Sequence, residues 1–199
     1  MKLNPFKRGL RVLGIAESFR KGYEWSVLFG VVMRRDLIID GSACTRVKVG
    51  GLDATEGVLS IYRTLNRSDI NAILLNGCII SWFNIVDLEK IYHETGVPTI
   101  CVTYEESKGL EEYLREYFPM DYEKRIEMYK KLGPRDKVFL KRTGREVYVR
   151  YLGTDRDSVE ELLKIFTLSG ATPEPLRVAN VMARAVLNLI ACGKNVEAT

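Results

Sequence analysis

Four side chains, far apart in the sequence, are of the kinds that hold a hard metal ion: Glu17, Asp53, Glu56 and Asn76. Three carboxylates and an amide offer only oxygen donors, which suits Mg2+ or Mn2+ and not zinc. A cation held in this way activates water and stabilises charge on a leaving oxygen, the chemistry of phosphodiester hydrolysis. Asn84 and Asp87, one helical turn apart, are candidate supporting groups behind them. Each residue also has a plainer reading. DATE (53–56) has the form of a capping box, with Asp53 accepting from the backbone and Glu56 reaching back. NIVD (84–87) can cap a helix in the same manner. Glu17 can be a solvated glutamate, and Asn76-Gly77 a turn pair.

Other chemistry has less support. The sole histidine, His93, falls in a helical pattern with no nucleophile nearby, so a Ser-His-Asp or Cys-His arrangement is not indicated. There is no GxxxxGK[ST] loop, and VGGLD is too short a glycine motif to mark a nucleotide site. Cys44, Cys78, Cys101 and Cys192 show no CxxC pair or zinc spacing. Cys78 and Cys101 lie in or beside apolar runs and read as buried, reduced thiols, with no disulfide implied. Arg177 and Arg184 are seven apart, share a helical face, and can contact phosphates or solvent.

The elements that must position these groups follow from hydrophobic periodicity. RVLGIA (11–16), WSVLFGVVMRR (25–35) and LIIDGSACTRVKVGG (37–51) read as three strands, the last bent or bulged at Asp40-Gly41. Connections this short force them antiparallel. Residues 53–68 then place Val58, Leu59, Ile61, Tyr62 and Leu65 at helical spacing. AILLNG is a buried strand, 85–94 a helix capped by Asn84, and VPTICVTY another strand. Two charged amphipathic helices (107–118 and 121–133), a hairpin about Thr143-Gly144, a helix closed by Gly170 and a long apolar helix entered through two prolines complete the chain. Three antiparallel strands followed by alternating helices and parallel strands are the α/β layout of a ribonuclease H-like fold, whose sites lie at the carboxyl ends of the strands. That rule singles out Glu17, Asp53 with Glu56, and Asn76, and it requires the first and fourth strands to be parallel neighbours.

With 199 residues and no linker or low-complexity tract, the chain is expected to be a single domain. Its net charge of +4 is unevenly placed: residues 1–50 hold ten Lys or Arg against four acids, and residues 51–100 hold three against six. Such a distribution suits a phosphate-facing surface beside a metal-binding patch, although chance clustering on a solvated surface gives the same count. No signal-peptide stretch or uninterrupted membrane-length run is present, and the expected setting is the cytoplasm.

The segments RVLGIAESF, VGGLDATEGV, ILLNGCIISWFNIVDL, VPTICVT and TPEPLRVANVMARA, in this order and across nearly the whole chain, resemble the mainly archaeal uncharacterised protein family 0215, or domain-of-unknown-function family 99. That family is similar to endonuclease V, and members are described as endonuclease dU. The resemblance implies a ribonuclease H-like fold and Mg2+- or Mn2+-dependent cutting of DNA near deaminated bases, with Glu17, Asp53, Glu56 and Asn76 as the metal-binding set. It also carries departures. Endonuclease V has an Asp where this chain has Ala16, so Glu17 would have to act from the next position. Its fourth strand ends in DG where this chain has Asn76-Gly77. A non-catalytic nucleic-acid-binding module with a degenerate metal site therefore stands as the rival expectation.

Overall fold

The computed structural model describes residues 3–196 other than 21 and 108, with side chains as far as residue 192. Lys2 and Lys21, part of the basic N-terminal third, fall outside that set.

The first strands are β1 (Arg11–Ser18), β2 (Trp25–Arg34) and β3 (Ile39–Lys48), antiparallel in sequence. The expected bulge is real. Val32 pairs with Gly41 and Met33 with Ile39, so Asp40 is the extra residue, and it is held by Arg11 at 2.8 Å and Arg67 at 3.0 Å.

The remaining elements are α1 (Ala54–Leu65), β4 (Ala72–Asn76), β5 (Ile79–Ile80), β6 (Asn84–Ile85), α2 (Leu88–Thr95) and β7 (Thr99–Thr103). After them come α3 (Glu111–Tyr117), α4 (Tyr122–Lys131), β8 (Asp136–Leu140), β9 (Arg145–Leu152), α5 (Arg156–Phe166) and α6 (Glu174–Val196). Seven strands form one mixed sheet in the order β3-β2-β1-β4-β7-β9-β8, and β1 lies parallel beside β4 as the site requires.

Because side chains alternate along a strand, each strand feeds two separate cores. Leu13, Ile15, Leu28, Ile73 and Leu75 pack against Val58, Leu59 and Ile61 of α1 and Ile91 of α2. On the opposite face Val12, Leu74, Ile100 and Val102 meet Leu162, Leu163 and Phe166 of α5. Ala16, Phe29 and Val31 meet Ala179, Ala183 and Leu187 of α6. Small residues let α6 approach closely. A Cβ on Gly14 would stand 2.6 Å from the Pro175 carbonyl carbon, so any larger residue there would push α6 off β1.

By length and composition alone, Glu174–Cys192 of α6 could cross a bilayer, which the charge-interrupted sequence did not suggest. Here it lies along β1 and β2 instead, with its alanine face buried.

Three local expectations need correction. Helix α2 begins at Leu88 under the cap of Asp87, whose carboxylate accepts from the Lys90 N–H at 3.0 Å, while Asn84 belongs to a small hairpin of β5 and β6. Helix α5 stops at Phe166, four residues before Gly170, where Thr167 turns extended. Cys78 and Cys101 are not separate thiols: they are paired as a disulfide with Cα atoms 5.9 Å apart, inside the ordinary range. Sequence spacing could not show this, because the parallel pairing of β4 and β7 is what brings them together.

Candidate active site at the carboxyl edge of the sheet

Strands β1, β3, β4 and β7 all end at one edge, and the N-terminus of β2 starts there. At this edge the segment joining β5 to β6 makes an unusual turn. Ser81, Trp82 and Phe83 all have positive φ, at 44°, 56° and 65°, a conformation that non-glycine residues rarely adopt even singly. Three in succession carry backbone strain, which persists only where the surroundings over-determine it.

Those surroundings are specific. Glu17, at the end of β1, accepts the Ser81 N–H at 2.7 Å on one carboxylate oxygen and the Ser81 hydroxyl on the other. The Ser81 hydroxyl also meets that of buried Ser26, and the Ser81 carbonyl accepts the Gly50 N–H at 2.7 Å. From the other side the Phe83 carbonyl accepts from Arg125 of α4 at 3.0 Å.

Arg125 is only 4% exposed, and all its donor nitrogens are engaged. It binds Asp121, the carbonyls of Gly50, Gly51 and Phe83, and packs 3.8 Å over the Phe118 ring. The sequence showed it only as one charge among many on an amphipathic helix. The available signal was the fork geometry of arginine, which suits several carbonyls at once, but the partners are about 42 to 75 residues away.

Asp53 sits immediately before α1, on the loop that Arg125 clamps. Its carboxylate accepts the Lys48 N–H at 3.0 Å and the Asn84 amide at 2.7 Å, and it makes no side-chain cap to α1. The buried Ala54 N–H, which has no partner within the helix, is satisfied by the Asn84 oxygen at 2.9 Å. Asn84 is fully buried and holds the Asp53 carboxylate from behind. The capping-box reading of DATE therefore does not describe this helix start.

Glu56 points elsewhere. It is exposed and pairs with Lys90 and with Arg63, and the Lys90 ammonium beside it holds its carboxyl below the usual range. Asp87 caps α2 and pairs with Lys131 at 3.0 Å. Although burial alone would push its carboxyl up, the Lys90 N–H and the Lys131 ammonium bring it below the usual range. Among the described residues no three His, Cys, Asp or Glu side chains gather as a metal-binding group.

Asn76 ends β4 next to β1, yet its side chain is not beside Glu17. Strand alternation puts Glu17 on the face of Leu13, Ile15 and α1, and Asn76 on the opposite face with Ala72 and Leu74. There its oxygen accepts the Tyr104 hydroxyl at 2.8 Å, and burial pushes that phenol up to about 12. The same alternation puts Ala16 under α6, so Glu17 cannot occupy its place; it opens onto the other face. Arg177 is bound to Glu174 at 3.2 Å and to the Ser169 carbonyl, and exposed Arg184 touches Asn180 at 3.4 Å. Asn180 in turn donates to the Glu17 carbonyl at 3.2 Å, which ties α6 to the end of β1.

Around the strained turn lies an aromatic surface. Trp82 is 46% exposed and meets Tyr117 at a ring distance of 5.5 Å, and a cleft of about 650 Å3 opens between Phe19, Tyr23, Trp82 and Tyr117.

Comparison with known proteins places this arrangement. The family model for endonuclease dU matches residues 8–187. The chain belongs to the endonuclease dU family. An uncharacterised family 0215 protein of Pyrobaculum aerophilum is 39% identical over 174 residues, spanning 87% of this chain and 92% of that one. A crystal structure of an Archaeoglobus fulgidus protein of unknown function superposes with a TM-score of 0.76 at 28% identity, covering 89% of this chain and 98% of that one. Endonuclease V of Ciona intestinalis, solved with a 24mer DNA containing an inosine followed by a ribo-adenosine, gives a TM-score of 0.61 at 15% identity, covering 92% and 87%. At that identity the likeness concerns the fold, which is ribonuclease H-like in this endonuclease dU family member as the strand order predicts.

Proposed function

We propose that this endonuclease dU family member is a metal-assisted endonuclease that cuts DNA at or near deaminated bases of the deoxyuridine type. The observation that carries the reading is the joining of Glu17 and Asp53, on one face of the carboxyl edge, through the strained Ser81–Phe83 turn and the loop before α1.

The donor chemistry of this pair fits Mg2+ or Mn2+. Each Glu17 oxygen takes one internal donor and keeps a lone pair, and carboxylates are the ligands these ions prefer. Mg2+ is commonly held by one or two protein carboxylates together with substrate phosphates, so Glu17 and Asp53 need not be joined by a third acid. Glu56, paired with Lys90, and Asn76, on the other face, are left out of this set. When bound, the cation supplies Lewis-acid polarisation of the phosphate and a water acidic enough to attack near neutral pH.

The remaining roles belong to the chain. Ser81 fixes the rotamer of Glu17, and the Lys48 N–H with Asn84 fixes Asp53, so both carboxylates are oriented before substrate arrives. Exposed Trp82 and Tyr117 offer a stacking surface for an extruded base, and extrusion costs least where pairing is already weak.

The rival, a binding module without catalysis, draws on one observation: among the described residues no three acids gather as they would in a fully furnished metal site. A panel of end-labelled duplexes carrying uracil, hypoxanthine or an abasic site, beside an undamaged control, separates the two. The proposal expects cation-dependent nicking of the uracil duplex above the control, abolished by EDTA. Binding without nicking under Mg2+ and Mn2+ would establish the rival.

A further inference from the structure

Two arginines stand together at the same edge, and among the described residues no acid pairs with either. Arg135, just before β8, donates to the Thr103 hydroxyl at 3.2 Å and the Glu105 carbonyl at 2.9 Å, and lies 4.9 Å over the Tyr148 ring. Arg150 of β9 donates to the Gly133 carbonyl at 2.9 Å. Both are half-buried, both line a cleft of about 720 Å3 at the ends of β4 and β7, and among the described residues no carboxylate pairs with either. Glu105 and Glu106 also line the cleft, but the Glu105 contact is made by its carbonyl, and neither carboxylate forms an ion pair with Arg135 or Arg150 among the described residues. Burial and the neighbouring Arg135 together hold the Arg150 guanidinium below its usual range.

Like charges brought together in a partly buried cleft oppose one another, and neutral carbonyls offset this only in part. An anion with several oxygens relieves the repulsion and matches the planar forks of two guanidinium groups. Register places this pair with the acids: Arg150 lies opposite Cys101 and Tyr148 opposite Thr103, on the sheet face that also bears Leu75, Ile15 and Glu17. Strand β9 is three strands from β1, about 14 Å by ordinary strand spacing.

We propose that Arg135 and Arg150 form a phosphate-binding site that holds a backbone phosphate of the nucleic-acid strand a short distance along from the Glu17–Asp53 pair. The site rests on the nuclease reading, and it anchors the strand without reading its sequence.

The test is the salt dependence of binding, measured by anisotropy of a fluorescein-labelled, undamaged 12mer single strand in EDTA, where no cleavage occurs. Each neutralised phosphate contact changes the slope of log K against log salt by about 0.7 on single strands. Arg135→Gln and Arg150→Gln should each reduce the slope by about that much, the double variant by about twice as much, and Arg150→Lys should restore most of the slope. Circular dichroism of each variant should match the wild type. Unchanged slopes in folded variants, or no binding of the 12mer by the wild type, overturn the site. Saturation of the wild type but not the double variant by millimolar inorganic phosphate, with 12mer slopes unchanged, assigns the arginines to a free phosphate and overturns the strand assignment. Because the assay contains no metal, a changed slope in a protein that nicks no damaged duplex would uphold the site while refuting the nuclease reading.

Discussion

Asp53→Asn is expected to slow nicking of uracil-containing DNA by about a hundredfold or more, with the fold and melting behaviour of the protein preserved. Removing one preorganised group that stabilises transition-state charge costs about two to three orders of magnitude in rate. Here a two-acid site loses half its formal charge. An asparagine carbonyl at the Oδ1 position still accepts from the Asn84 amide, at 2.7 Å, and from the Lys48 N–H, at 3.2 Å, while the 3.0 Å bond from Lys48 to Oδ2 is lost. Unchanged melting alongside a fallen rate then assigns the loss to charge and not to the loop. Glu17→Gln should act in the same direction, since its carbonyl can still accept the Ser81 N–H. Glu56→Gln should leave the rate within about twofold, because exposed ion pairs such as Glu56–Lys90 contribute little. Rates measured under single turnover check all three, and a large loss in Glu56→Gln with little in Asp53→Asn would reverse the assignment.

Arg125→Met should destabilise the protein by about 3 kcal/mol and loosen the turn that carries Trp82. Methionine preserves much of the volume against Phe118 but leaves Asp121 and the carbonyls of Gly50, Gly51 and Phe83 without their donor. Breaking a buried charged pair typically costs about 3–5 kcal/mol, and the lower end is apt because Asp121 is partly exposed. The strain of three left-handed residues is then no longer opposed on the Phe83 side, so the turn should open before the rest of the sheet. Urea unfolding measures the first effect. Amide exchange at Gly50 and Ser81, whose mutual hydrogen bond closes the turn, measures the second. Equal protection of these amides in wild type and variant would show that Arg125 does not hold the turn.

The sheet was legible because its signals are local. Short apolar runs bounded by turn signals gave β1 to β4 and β7, the Asp40-Gly41 pair gave the bulge, and the short connections gave the antiparallel start. The fold also located the edge where Glu17, Asp53 and Asn76 end up. What the sequence did not reveal was side-chain direction. Strand adjacency brings Glu17 and Asn76 to neighbouring strand ends, but alternation sends their side chains to opposite faces. Asp53 and Glu56 share the start of the helix after β3, yet Asp53 lies outside α1 and turns back to Lys48 while Glu56 pairs with Lys90. Arg125, Ser26 and Ser81 were invisible for a different reason. Their partners lie on other elements, and nothing in the local pattern of ISWFNI marks a left-handed turn.

The most direct test of the Glu17–Asp53 assignment is a titration of Mn2+ followed by the paramagnetic signal of the free ion, with and without an undamaged 12mer single strand. The wild type should take up Mn2+ far more tightly when the strand supplies phosphate oxygens. Glu17→Gln and Asp53→Asn should each lose that uptake, and Glu56→Gln should retain it. Uptake that is the same in all four proteins, or lost only in Glu56→Gln, would contradict a cation site built on Glu17 and Asp53.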